Sequence, residues 1–163
     1  ETVSIRTFVE ELLTKARVLA DRNWQLKGEG DDSMVGDRQH LTGAMLNLLR
    51  NAAQHTEVGD SIEIGYRIDR RHPGGSQVEF WVRDQGDGIS PENQQRIFAR
   101  FARGAQRRSE GSGLGLAIVK TVAEAHGGRV HLVSRVGEGS TFWISLSQTM
   151  QGPKPRQSAE LES

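Results

Sequence analysis

The chain has 163 residues, 35% of them hydrophobic, enough for one well-buried core and cramped for two full domains. Lys plus Arg and Asp plus Glu balance at 21 each, which removes the basic footprint expected of a dedicated nucleic-acid or membrane-surface binder. The absence of cysteine excludes disulfide frameworks, thiolate catalysis and Cys-ligated zinc and suits a reducing, cytoplasmic compartment; no apolar run is long enough to span a bilayer, and Glu1 to Glu11 lacks the features of a signal peptide.

From Ser4 to Ala20, Ile5, Phe8, Val9, Leu12, Leu13, Ala16 and Leu19 recur at three- and four-residue intervals, the apolar face of an amphipathic helix. Short strands are predicted at Trp24 to Lys27 and Met34 to Val35, separated by the acidic, glycine-containing turn Gly28 to Ser33. Asp37 reads as the N-cap of a helix running to about His55, with Leu41, Ala44, Met45, Leu48 and Ala52 as its core stripe. Ser61 to Asp69 and Gln77 to Asp84 alternate apolar and polar residues as half-buried strands do. A glycine-rich loop, a short helix from Pro91 through Phe98 and a polar, mobile stretch from Ala102 to Ser112 follow. A helix from Leu114 to Ala125 stops at Gly127-Gly128, and strands at Arg129 to Arg135 and Ser140 to Leu146 meet through Gly137-Glu138-Gly139. Residues 1–147 form the expected domain, and 148–163, polar and with Pro153 and Pro155, the expected disordered tail. The order favours two layers, helices on one face of a mixed sheet.

Three places carry chemistry. Asn47 and Asn51 are four residues apart on the second long helix, so their amides project from one edge, and a carboxamide oxygen suits Mg²⁺ when phosphates and waters complete the octahedron. The plain alternative is two amides that face solvent or bond to backbone. Asp84 ends an apolar strand and opens Asp-Gln-Gly-Asp-Gly-Ile, where Gly86 and Gly88 let a ligand approach the backbone and the carboxylate can accept from a planar donor such as the adenine amine. A calcium loop is disfavoured, because the following residues lack oxygen ligands at the alternating EF-hand positions. Gly111-Ser112-Gly113-Leu114-Gly115-Leu116 leads into a helix, a place for phosphate, yet its spacing is neither a Walker A loop nor a dinucleotide fingerprint.

With these in order, the chain resembles the catalytic and ATP-binding domain of the sensor histidine kinases of two-component systems, in the superfamily shared with gyrase, heat-shock chaperone and mismatch-repair ATPases. The resemblance covers residues 5–147: Asn47-Leu-Leu-Arg-Asn51-Ala-Ala-Gln-His-Thr56 as the N box, Asp84 to Gly88 and Gly111 to Leu116 as glycine boxes, Ile97-Phe98-Ala-Arg-Phe101 as the phenylalanine box, and Gly137-Glu-Gly-Ser-Thr141. It implies an α/β fold, a two-layer sandwich of the Bergerat ATP-binding type, with a mixed, mostly antiparallel sheet and about three main helices on one face.

The resemblance further implies that Asp84 binds the adenine amine, supported through water by Thr141, and that Asn51 ligates Mg²⁺ with Asn47 beside it. Gly113, Leu114, Gly115 and Leu116, with Gly111 before them, would cradle phosphate; Ile89 and the His55 ring would flank the base, and residues 102–112 would be a lid. Arg103 matches a position that faces the terminal phosphate and would act with Asn51 in catalysis. Gln54 and His55 stand where the family often has a basic residue and tyrosine, which lowers the expected affinity for ATP. Asn47 stands where the ATPase branches carry a glutamate base, so hydrolysis is expected to be slow. None of the five histidines lies in a phosphoacceptor sequence. The implied partners are therefore a separate histidine-bearing dimerisation domain and a response regulator receiver domain, with no direct nucleic acid and no membrane contact by this domain. The parent protein would be a membrane sensor with this part on the cytoplasmic side. The alternatives are a non-catalytic ATP sensor and a protein serine kinase of the same superfamily.

Overall fold

The structure, a computed structural model, describes residues 1–30, 32–95, 97 and 115–148. A short strand β1 (Thr2–Ser4) leads into α1 (Ile5–Leu19), whose N-cap Ser4 accepts from the Thr7 backbone N–H. Then come β2 (Asn23–Lys27), β3 (Ser33–Val35), α2 (Arg38–Gln54), β4 (Ser61–Asp69), β5 (Gln77–Asp84), α3 (Pro91–Gln94), α4 (Gly115–Ala125), β6 (Arg129–Arg135) and β7 (Gly139–Ser147). Among the described residues the short helix after the first glycine loop ends at Gln94; Phe98, Phe101, the segment 102–112 and the tail from 149 lie outside them.

Five strands form one sheet in the order β2-β4-β5-β7-β6, parallel only between β2 and β4. This is the mixed, mostly antiparallel sheet expected. Although β2 and β3 are neighbours in sequence, they join different sheets: β3 pairs antiparallel with β1, a strand too short to show in the sequence pattern.

Alternation along the strands settles the core. Ile62, Ile64, Val78, Phe80, Val82, Phe142, Ile144 and Leu146 point to one face and are almost wholly buried beneath Phe8, Leu12, Leu48, Val119 and their neighbours on α1, α2 and α4. The rings of Phe8 and Phe80 meet edge to face at 5.4 Å, fixing α1 on the middle of the sheet. Asp37 caps α2 by accepting from the His40 N–H at 3.1 Å. Its own N–H donates to His126 Nε2 (3.0 Å), so the start of α2 is tied to the end of α4.

Candidate functional site

The site lies where the C-terminal half of α2 passes the ends of β5 and β7. Asn47 and Asn51 leave α2 beside its buried stripe, both half-buried. Asn47 Nδ2 donates to Gly115 O (3.3 Å), joining α2 to the first turn of α4, while the Asn51 side chain makes no hydrogen bond among the described residues. His55 at the end of α2 donates from Nδ1 to Asn51 O (2.8 Å), which draws the ring back along its own helix, and Gln54 is exposed. Gly115 and Leu116 begin α4 alongside Asn47; Gly111, Gly113, Leu114 and Arg103 lie outside the described residues.

Asp84 is the one strongly buried carboxylate among the described residues, 3% exposed at the end of β5. Burial pushes its carboxyl above the usual range, against the lowering effects of the Gly86 N–H, nearby His55 and a backbone hydrogen bond from Ser140. Gly86 donates to Asp84 Oδ1 at 2.8 Å. A Cβ on Gly86 would come 2.0 Å from His55 O, so only glycine lets the loop meet α2 this closely. Gly88 has φ +78°, and a Cβ there would strike the Arg135 carbonyl at 2.1 Å.

Thr141 is not brought to this carboxylate. In the β5–β7 register Asp84 faces Ser140 and Arg83 faces Thr141, so Thr141 points to the opposite side of the sheet, where its hydroxyl accepts from Arg83 Nε at 3.4 Å. Ser140, 6% exposed, takes the inward place. Phe142, Ile144 and Leu146 are inward, and counting back by two along the strand reaches Ser140; that signal was present in the sequence.

Ser134, also outside the expected set, completes the wall. Its hydroxyl accepts the Ile89 N–H (2.8 Å), donates to Gly139 O (3.1 Å) and meets Ser140 Oγ at 2.7 Å. With its proton on Gly139 O, Ser134 accepts from Ser140, leaving lone pairs on the Ser140 oxygen for a further donor. Gln94 Nε2 donates to Ile89 O and Ser134 O, which fixes half-buried Ile89 at the rim.

A five-stranded mixed sheet of this order under three main helices is the Bergerat-type fold. The chain belongs to the family of histidine kinase-, DNA gyrase B- and HSP90-like ATPases, which matches residues 36–150. It is 37% identical over 170 residues to the sensor-like histidine kinase SenX3 of Mycobacterium tuberculosis, a match covering 98% of this chain and 40% of that protein. It is 41% identical over 153 residues to the sensor histidine kinase AruS of Pseudomonas aeruginosa, covering 88% of this chain and 15% of that protein. The chain thus spans less than half the length of these relatives. The solved mycobacterial sensor histidine kinase MprB superposes with a TM-score of 0.74 at 30% identity, over 90% of this chain and 95% of that one. The catalytic domain of histidine kinase ThkA, at 22% identity and TM-score 0.75 over 91% of this chain and 95% of that one, shares the fold. The chain therefore corresponds to the catalytic, ATP-binding domain of sensor histidine kinases.

Proposed function

We propose that this domain binds Mg-ATP between α2 and the Asp84 loop and delivers the terminal phosphoryl group to a histidine on a separate helical domain. The observation that carries the reading is Asp84: a carboxylate buried at a strand end, met by the Gly86 and Ser140 backbone N–H groups, keeps lone pairs for a further donor, and the adenine amine is a planar one. Ser140 replaces Thr141 as the residue supporting the base, because its hydroxyl lies on the Asp84 side of the sheet.

The donor set suits magnesium that arrives with the nucleotide. Among the described residues no three His, Cys, Asp or Glu side chains gather into a metal site, and Asn51 offers a neutral amide oxygen without a hydrogen bond there. Such a ligand fits Mg²⁺ only with phosphate oxygens and water, and the ion when bound would neutralise phosphate charge. Asn51 would hold that ion, and Asn47, committed to Gly115 O, would brace α4 against α2. Arg103, Gly111, Gly113 and Leu114 enter by resemblance alone, with Arg103 as the charge on the transferring group. That the relatives are named sensor histidine kinases supports a histidine-bearing dimerisation domain and a response regulator as partners; a membrane-anchored parent belongs to the same reading by resemblance.

Calorimetry with the non-hydrolysable analogue AMP-PNP and Mg²⁺ tests the pocket. Binding is expected in the wild-type chain, none in Asp84→Asn, about tenfold weaker binding in Ser140→Ala and no change in Thr141→Val. Equal affinity in wild type and Asp84→Asn would overturn the assignment.

A further inference from the structure

Residues 21–24, the end of the α1–β2 connection and the start of β2, hold the C-terminal ends of two helices. Trp24 Nε1 donates to Ala20 O at the end of α1 (3.0 Å). Arg22 reaches the end of α2: its Nε donates to Thr56 Oγ1 (2.8 Å), and one terminal nitrogen donates to Ala53 O (2.9 Å) and Thr56 O (3.0 Å). The other terminal nitrogen folds back to Asp21 O (2.9 Å). Thr56 passes the contact on, its hydroxyl donating to Ala52 O at 2.8 Å. The last carbonyls of a helix lack i+4 partners and carry the negative end of its dipole; Ala53 O accepts the Thr56 N–H only at 3.4 Å, and the half-buried guanidinium adds a shorter, charged donor there. Its described partners are carbonyls and one hydroxyl rather than a carboxylate, so the charge is spent on α2.

That end of α2 is also what meets the Asp84 loop. The His55 carbonyl lies where a Cβ on Gly86 would come to 2.0 Å, and the Gly86 N–H holds Asp84 Oδ1. We propose that Arg22 is a positioning residue for nucleotide binding: by clamping Ala53 and Thr56 it seats the His55 carbonyl on Gly86 and sets the spacing between the α2 amides and Asp84. The inference rests on the nucleotide reading above. Arg22 acts only through α2, from a loop that none of the recognised motifs includes.

The test compares Arg22→Met, Arg22→Lys and Val78→Ala, each with AMP-PNP and Mg²⁺ in calorimetry, with melting temperature and the Gly86 amide resonance recorded for each. Val78 is a buried control six residues along β5 from Asp84, about 20 Å away. Arg22→Met is expected to bind about tenfold more weakly and to move the Gly86 resonance, Arg22→Lys to recover most of the affinity, and Val78→Ala to melt lower with affinity unchanged. If Arg22→Met does not fold, Thr56→Val, which removes the hydroxyl contact, takes its place with the same expectation in smaller degree. Wild-type affinity in Arg22→Met, or an equal loss in Val78→Ala, overturns the positioning role while leaving the nucleotide site standing. A wild-type chain that takes up no analogue overturns both.

Discussion

Asp84 is held at the cost of some stability. Its carboxyl is raised chiefly by burial, so as pH climbs the unfolded chain gives up this proton before the folded one does. Within that window the folded state binds more protons, stability falls with rising pH, and above it the full penalty persists. Asparagine keeps the shape and the oxygen that accepts from Gly86, and it removes the charge. Ligand-free Asp84→Asn is therefore expected to melt above wild type at pH 7, with the advantage shrinking as pH falls from above the ordinary carboxylate range down into it and levelling off below. Thermal scans across that range check it; a variant that melts lower at pH 7 would show that the charge is compensated in the folded state. The same variant is the one expected to lose nucleotide, which separates binding from folding at a single atom.

At the scale of elements, the site depends on helices seated on the sheet by contacts well away from it. Phe8 is 1% exposed and meets Phe80 in the middle of β5, the strand that ends in Asp84. Phe8→Ala is expected to cost about 3–5 kcal/mol, the usual price of emptying such a place in a core. Urea unfolding measures it, and a loss below about 1 kcal/mol would mean that α1 is not anchored there. The α1 face was plain in the sequence, because three- and four-residue spacing is a local property of the chain. The clamp of Arg22 on α2 was not, since it joins residues 31 and 34 positions apart.

For the whole molecule, the decisive question is where the phosphoryl group goes. Four of the five histidines have a ring nitrogen hydrogen-bonded within the fold: His40 to Asp37, His55 to Asn51 O, His72 to the Gly74 N–H, and His126 to both Asp37 N–H and Val122 O. These contacts hold the rings in place, and none of the five histidines lies in a phosphoacceptor sequence. Incubation with ATP labelled in its terminal phosphate is expected to leave this chain unlabelled and, once a cognate histidine-bearing helical domain is added, to place acid-labile label on that domain. Acid-stable label would instead indicate a hydroxyl acceptor, and no label at all would favour ATP sensing without transfer. Among the described residues no helix is long and apolar enough to cross a membrane.

The sequence by itself determined the kinds and positions of the main elements, the buried stripes, the carboxylate at the end of β5 and the amide edge of α2. Each is written in short-range periodicity or in a motif of a few residues. Only the tertiary structure decided that β2 runs parallel beside β4 while β3 turns away to β1, that the inward residue Ser140 is paired with Asp84 rather than with another strand, and that Arg22 closes α2. Those outcomes are choices among distant partners, fixed by which pairing buries the apolar faces and satisfies the backbone groups together.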